Sequence, residues 1–335
     1  MNELVQVEGL TKHFPLEKGL IGGLFASEAR FVHAVDDVTF SIQNGEIFSL
    51  VGETGCGKTT IARLILRAID PTSGTVLFEG QDLFKASAEQ MRRLRREMQI
   101  VFQNPYASLN PRWKVKDILA EPLDVHGMAK GDEKSRYVSE LLETVGLEPA
   151  EQYLDRYPHE FSGGQRQRIV VARALALKPK FIVADEPVSA LDVSIRAGIL
   201  NLLRDLKQDL GLTYLFIAHD LSVVRYMSDR VAVMYLGKIV ELASSEDLFS
   251  RPIHPYTGAL MSAVPVPDPE AKRKKIRLMP DIPSPIDIPK GCRFHTRCPY
   301  SKKMCLDVEP ELREVGKNHL VSCHCRDDPA IFSYT

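Results

Sequence analysis

The segment Gly52-Glu53-Thr54-Gly55-Cys56-Gly57-Lys58-Thr59 constrains this chain more than any other feature. It has the spacing G-x-x-x-x-G-K-[ST] of a phosphate-binding loop. A match of this kind arises by chance in roughly one chain in a hundred of this length. The context is also right. An apolar run, Ile47-Phe48-Ser49-Leu50-Val51, precedes it, and a stretch of helical character, Thr60 to Ala68, follows. Glycines let backbone N–H groups curl around an anion, and a helix N-terminus adds partial positive charge. Lys58 can reach the β- and γ-phosphates, and the Thr59 hydroxyl can ligate Mg²⁺.

Three further apolar runs end as abruptly. Met98 to Phe102 stops at Gln103, Phe181 to Ala184 at Asp185-Glu186, and Tyr214 to Ala218 at His219-Asp220. Short apolar runs of this kind form strands buried on both faces. Ligands in open α/β sheets bind outside the carboxyl ends of the strands. The pattern therefore predicts a doubly covered parallel sheet with Gly52 to Thr59, Gln103, Asp185, Glu186 and His219 at strand ends. Asp185 is expected to hold Mg²⁺. Glu186, on the opposite side of the strand end, is expected to act as general base toward the water attacking a γ-phosphate. A second anion-binding helix start is expected at Ser162-Gly163-Gly164-Gln165, where Ser162 and Gln165 have capping-box spacing and helical periodicity runs to Leu177.

Length and composition organise the rest. At roughly 150 residues per domain, 335 residues call for more than one domain. The formal net charge of -1 excludes a chain built to coat nucleic acid. No apolar run approaches the ~18 residues of a membrane span, and Met1 to Gln6 lacks the apolar core of a secretory signal. Residues 1–250 alternate strand-like and helical segments. Nine of the 21 prolines lie between Pro252 and Pro289, a density expected to prevent regular helix and leave a connector over 251–290. That connector contains the basic run Lys272 to Arg277, read first as a solvated surface stretch. Phe14 to His33 reads as an extended surface loop.

Five of the six cysteines fall in the last 44 residues. Cys292, Cys298, Cys305, Cys323 and Cys325 lack the C-x₂-C pairs of a zinc ribbon, and disulfides are not retained easily in a reducing compartment. Three readings stay open for 291–335: a [4Fe–4S] cluster on Cys292, Cys298, Cys305 and Cys323, with Cys325 spare or replacing Cys323; Zn²⁺, recruiting His295 or His324; or reduced structural thiols. The sixth cysteine, Cys56, sits at a helix N-terminus beside Lys58 and is expected to ionise more readily than a free thiol.

Taken in order, the loop 52–59, Gln103, Ser162-Gly163-Gly164-Gln165, Asp185-Glu186, Ser189-Ala190-Leu191-Asp192 and His219 resemble the nucleotide-binding subunits of ATP-binding-cassette transporters. The stretches Val101 to Pro111, His254-Pro255-Tyr256-Thr257 and Gly291 to Pro299 are similar to ATPase subunits of bacterial oligopeptide and dipeptide importers, so the resemblance covers nearly the whole chain. Tyr106 and Ala107 resemble the F half of the paired D and F subunits. Phe161, often Leu in the family, and Cys56, more often Ser, are small departures.

The resemblance implies an α/β phosphate-loop ATPase with a parallel core sheet, an antiparallel β part and a helical subdomain over about 104–165. It implies ATP and Mg²⁺ as ligands and a head-to-tail ATP sandwich. In that arrangement Gly52 to Thr59 and Thr60 hold the nucleotide phosphates, Phe14 (or Phe31) stacks on adenine, and Ser162 to Gln165 close on the γ-phosphate bound by a partner subunit. Thr59, Gln103 and Asp185 attend Mg²⁺, Glu186 is the base, His219 orients the γ-phosphate and water, and Asp192 crosses the interface. The implied partners are a second ATPase subunit, identical or paralogous, two transmembrane permeases contacted through Tyr106, Leu109 or Trp113, and an extracytoplasmic solute-binding protein, with no nucleic acid. The implied place is the cytoplasmic face of the bacterial inner membrane. The cargo is a peptide, or nickel or an oligosaccharide. Rival readings are a DNA-repair or translation-associated ATPase and an iron–sulfur redox-sensing ATPase.

Overall fold

The computed structural model describes residues 3–16, 30–263, 276, 278 and 282–327. Contacts divide the chain into two compact units that are not consecutive segments. One comprises 43–47 and 85–218; the other comprises 3–42, 48–84 and 219–335.

The first unit is built on three parallel strands, Met98–Val101, Phe181–Asp185 and Thr213–Ile217. The pairs Val101↔Ala184 and Ala184↔Phe216 place these strands in register. Phe181, Ile182, Val183 and Ala184 are all fully buried, as are Leu215, Phe216 and Ile217. An unbroken apolar run is the pattern of a strand covered on both faces, and this agrees with the sequence expectation. Between Gln103 and Ser162 the chain is helical, as the implied subdomain requires: Val115–His126 and Gly131–Thr144 are the longer helices, with short turns at Pro105–Ser108 and Glu151–Leu154. The helix Gly163–Leu175 follows and is buried along most of its length.

The second unit holds two sheets. In the first, Phe31–Gln43, Glu3–Pro15, Ser73–Phe78 and Gln81–Asp82 lie in that order, with Glu3–Pro15 antiparallel to Ser73–Phe78. This is the expected antiparallel part. In the other, Ile47–Val51 runs parallel to Arg230–Tyr235. Arg230–Tyr235 turns back as Lys238–Ser244, to which His319–Val321 adds an antiparallel strand, itself paired with Arg313–Gly316. The cysteine-bearing C-terminal region is thus stitched into the same unit as the phosphate loop by backbone hydrogen bonds.

Two expectations need correction. Phe14 and Pro15 belong to the strand Glu3–Pro15, and Phe31 opens Phe31–Gln43, so both ends of the 14–33 stretch are strand. Residues 17–29 lie outside the described residues. The proline-rich stretch is not devoid of helix: Pro255–Ser262 is a helix with Pro255 in its first turn. Proline is tolerated there because the N–H it lacks would have no intrahelical acceptor. The basic run lies outside the described residues except for Ile276.

Candidate active site

The strand Ile47–Val51 delivers the chain into the loop Gly52–Gly57, and the helix Lys58–Ile65 carries it away. Two glycines are dictated by backbone geometry. Gly52 (φ 148°) and Gly57 (φ 112°) lie where L side chains are strained, and a Cβ on either would run into a carbonyl oxygen, that of Met234 or of Ala34. The loop can therefore stay close to the chain behind it. Lys58 is buried, and its Nζ donates to Gly52 O (2.8 Å) and Glu53 O (3.1 Å). The ammonium is thus held within the curl of the loop. Thr54, Gly55 and Thr59 are exposed, and Thr60 is half-buried.

Cys56 corrects the sequence reading. Its Sγ lies 3.6 Å from Lys58 Nζ, yet the thiol is buried, and burial pushes its pKa up more strongly than the lysine pulls it down. The expected activation by Lys58 is present and is outweighed.

In the other unit, the strand Phe181–Asp185 ends with Asp185 and Glu186 half-buried. Glu186 takes a left-handed backbone conformation, φ 49°. For a non-glycine residue this costs about 1–2 kcal/mol and is typical of functional positions. The conformation is held by Glu186 N–H donating to Ile217 O (2.9 Å) and by the Ser189 hydroxyl donating to Glu186 O (3.1 Å). Gln103, just beyond the strand Met98–Val101, donates from Nε2 to Glu186 Oε2 at 2.7 Å. Two residues 83 positions apart in sequence, both taken from strand ends, are thereby brought together.

Ser162 caps Gly163–Leu175 as its spacing predicts: the hydroxyl accepts from Gln165 N–H (3.3 Å), and Gln165 Oε1 accepts from Ser162 N–H (3.1 Å). Gly164 is needed for packing, because a Cβ there would meet Cγ2 of Ile195. That contact ties the start of this helix to the segment carrying Asp192, which is exposed at the N-cap of Val193–Leu210 without capping it through its side chain. His219 is exposed and immediately precedes Asp220, the N-cap of Leu221–Met227. Phe14 is 37% exposed on its strand, with Lys12 Nζ 5.1 Å from the ring centroid. Phe31 is similarly exposed. Of the expected permease contacts, Leu109 is core, Trp113 is exposed, and the Tyr106 side chain lies outside the described residues. Trp113 lines a cleft of about 730 Å³ among the helices of the first unit, with Lys114, Val125, Val138 and Tyr157.

The cysteines gather. Cys305, Cys323 and Cys325 are buried with Ile253 and Val321, and Cys292 packs against them. All are free thiols. Burial pushes Cys292 up to about 11 and Cys298 up to about 12, and both feel Cys305 and Cys325 as added negative charge. Cys323 is likewise pushed up to about 12, first by burial and then by Cys325. Thiols kept neutral by burial lose their protons when they bind a metal, so the group is chemically able to act as a donor set. Among the described residues, the set of three or more potential ligands within 4.8 Å of one another is His13, His33 and Asp36, not the cysteines. A single zinc needs its sulfurs only about 3.8 Å apart at Zn–S ≈ 2.3 Å. In the His13 set, Asp36 is already neutralised by Arg293.

Residues to which the sequence reading assigned no role also surround the loop. Tyr256 and Arg297 both contact Glu53. Behind them, the buried Glu241 accepts from the backbone N–H groups of Ile253 (2.8 Å) and His254 (2.9 Å) and lies 2.7 Å from His319 Nε2. Tyr256 and Arg297 stand inside the two C-terminal stretches already singled out, but nothing in their spacing points to position 53.

A phosphate loop with an inward lysine, a strained carboxylate held by a glutamine at neighbouring strand ends, and a glycine-rich capped helix define an ATP-hydrolysing cassette. Residues 35–189 match the ABC transporter family, and residues 240–305 match the oligopeptide/dipeptide transporter C-terminal region. The oligopeptide transport ATP-binding protein AppF of Bacillus subtilis is 50% identical, over 96% of this chain and 97% of its own. Among solved structures, the post-hydrolysis dimer of the ATP-binding cassette MJ0796 with ADP and phosphate superimposes with a TM-score of 0.61 at 29% identity, over 72% of this chain and 98% of that one. The cbiO1 component of the ABC transporter complex cbiONQ, from Clostridium perfringens, gives 0.62 at 26%, over 75% and 92%. The chain belongs to the ATP-binding proteins of ABC transporters, in the oligopeptide/dipeptide branch.

Proposed function

We propose that this chain hydrolyses ATP to power import of peptides across the cytoplasmic membrane through partner permeases. The observation that carries the reading is half identity with an oligopeptide transport ATP-binding protein along nearly the whole of both chains, including the C-terminal region. The likeness at Tyr106 and Ala107 makes it the F-type subunit of a D/F pair. Nickel and oligosaccharide cargo gain no support from these likenesses. A DNA-repair ATPase of this superfamily would carry a coiled coil between Gln103 and Ser162, where the helix Gly131–Thr144 is the longest.

In the proposed cycle Lys58 and the amides of Gly55 to Thr60 bind the ATP phosphates, and Phe14 stacks on the adenine. The hydroxyl of Thr59, the amide oxygen of Gln103 and the carboxylate of Asp185 are hard oxygen donors of the kind Mg²⁺ prefers. When bound, Mg²⁺ neutralises developing phosphate charge. Glu186 accepts the proton of the attacking water, Gln103 positions that carboxylate, and His219 orients the γ-phosphate. Ser162 to Gln165 and Asp192 act on the nucleotide held by a second ATPase subunit. A dimeric cassette among the solved likenesses supports this pairing.

Two permeases dock on the helical region near Trp113, and a solute-binding protein supplies the peptide from outside. No helix among the described residues is long and apolar enough to cross a membrane, in keeping with a subunit peripheral to the cytoplasmic face. The cassette proper spans 1–250, with a connector over 251–290 and the cysteine region over 291–335. We assign Cys292, Cys298, Cys305 and Cys323 as ligands of a [4Fe–4S] cluster. Cys325, buried in the same cluster as Cys323, is the alternative fourth ligand.

Co-expression with peptide-importer permease subunits and a second ATPase subunit, purification of the complex and assay of peptide-stimulated ATPase in liposomes test the function. Stimulation by a solute-binding protein loaded with peptide is the expected result. Absence of nucleotide hydrolysis, or stimulation only by a non-peptide cargo, overturns it.

A further inference from the structure

Glu53, the second residue of the phosphate loop, is gripped at two points by residues from the far end of the chain. Its backbone N–H donates to the Tyr256 hydroxyl at 2.8 Å. Its carboxylate accepts both guanidinium arms of Arg297, Nη1 to Oε2 at 2.7 Å and Nη2 to Oε1 at 3.0 Å. Two parallel charge-assisted bonds fix direction as well as distance. The Arg297 side chain is 5% exposed and the Glu53 side chain 27%, so the pair is largely shielded from solvent. Arg297 also lies over the Tyr235 ring, 5.8 Å from its centroid, and Tyr235, Tyr256 and Phe294 pack ring against ring.

Each grip is anchored in turn. Tyr256 lies on the buried helix Pro255–Ser262, whose start is pinned through His254 and Ile253 to Glu241 and from there to His319. Arg297 lies in the segment between Cys292 and Cys305, immediately before Cys298, and that segment is closed by Cys292 N–H donating to Cys305 O at 2.9 Å. The loop is therefore braced by two segments 203 and 244 residues away from it in sequence.

We propose that Arg297 is a positioning residue for nucleotide binding, and that the C-terminal cysteine region sets ATP affinity through it. The inference rests on the reading of Gly52–Thr59 as the ATP phosphate site. Two physical effects act together. The fork holds the loop backbone in its anion-cradling curl, so less ordering is required when nucleotide binds. It also neutralises a carboxylate that would otherwise stand unpaired in the loop that receives a polyphosphate. Arg297 acts through Glu53, so its influence falls on binding rather than on the chemical step.

The test uses the full chain with its ATPase partner subunit and reads the dissociation constant of a fluorescent ATP analogue beside the KM and kcat for ATP. Arg297→Ala is expected to weaken binding and raise KM about tenfold, the scale of one lost charge-assisted interaction, with kcat at saturating ATP within about twofold. Arg297→Lys keeps the charge without the fork and falls between. Adding Glu53→Gln to Arg297→Ala recovers part of the affinity, because the uncompensated charge is gone. Tyr256→Phe, which keeps the ring packing, loosens binding by a smaller factor and guards against misfolding of the arginine variants. Unchanged affinity in Arg297→Lys and Tyr256→Phe overturns the brace. So does a loss confined to kcat, or no recovery in the double variant. A wild-type protein that binds no nucleotide analogue overturns the ATP-site reading as well, and so is told apart from failure of the brace alone.

Discussion

Gln103 Nε2 donates to Glu186 Oε2 across 2.7 Å, so the proposed general base is oriented by a residue from a neighbouring strand end. Glu186→Gln removes the proton acceptor but keeps the size of the side chain. Turnover is expected to fall by at least about 10²-fold, the usual contribution of a positioned acid–base group, with ATP affinity preserved. A phosphate-release assay beside equilibrium nucleotide binding checks this; wild-type turnover would falsify the base assignment.

Gly57 takes φ 112° against the Ala34 carbonyl. Gly57→Ala is expected to lose about 2 kcal/mol or more through backbone strain and the clash. The thermal midpoint should drop, and the variant that remains folded should bind ATP weakly. A midpoint equal to wild type would show that the loop relaxes without cost.

Cys56 is 4% exposed, and burial raises its thiol pKa. Maleimide labelling near pH 7 is therefore expected to run at least about tenfold slower than for a free cysteine, and to speed up when the chain is unfolded. Mass spectrometry of the Cys56 peptide over time measures it. Labelling as fast as a model thiol contradicts the buried placement.

His254 is fully buried, and desolvation lowers its pKa to about 3. Its Nδ1 accepts from Tyr256 N–H at 3.1 Å, which requires that nitrogen to be unprotonated. Between pH 6.5 and 3 the unfolded chain binds a proton there that the folded chain does not. Stability is thus present above pH 6.5 and is lost as pH falls below it, with a slope of up to about 1.4 kcal/mol per pH unit. His254→Asn keeps an N-cap acceptor without the titration. Thermal melts from pH 7.5 to 5 should fall more steeply for wild type than for this variant; parallel curves refute the assignment.

The cysteine region is tested by anaerobic purification. Four irons and four sulfides per chain, a brown absorbance, and loss of both in Cys298→Ser or Cys305→Ser are the expected outcomes. A colourless protein holding one zinc ends the cluster assignment.

The periodicity and the strand-end residues of the ATPase core were legible because they are local. A run of four or five apolar residues that stops at a polar one is too short for a helix and suits a strand buried on both faces, and Ser162 with Gln165 needs only a three-residue spacing to cap a helix. The phosphate loop is read the same way, since its glycines and lysine act within eight residues. The proline count misled at Pro255–Ser262, because a proline in the first helical turn forfeits no hydrogen bond.

What only the tertiary structure decided is what crosses the chain: the pairing of Gln103 with Glu186, the burial that outweighs Lys58 at Cys56, and the hold of Tyr256 and Arg297 on Glu53. Each depends on distance and desolvation between residues whose separation in sequence carries no periodic signal. Phosphate chemistry is written in short motifs, whereas the groups that position and tune it are set by packing.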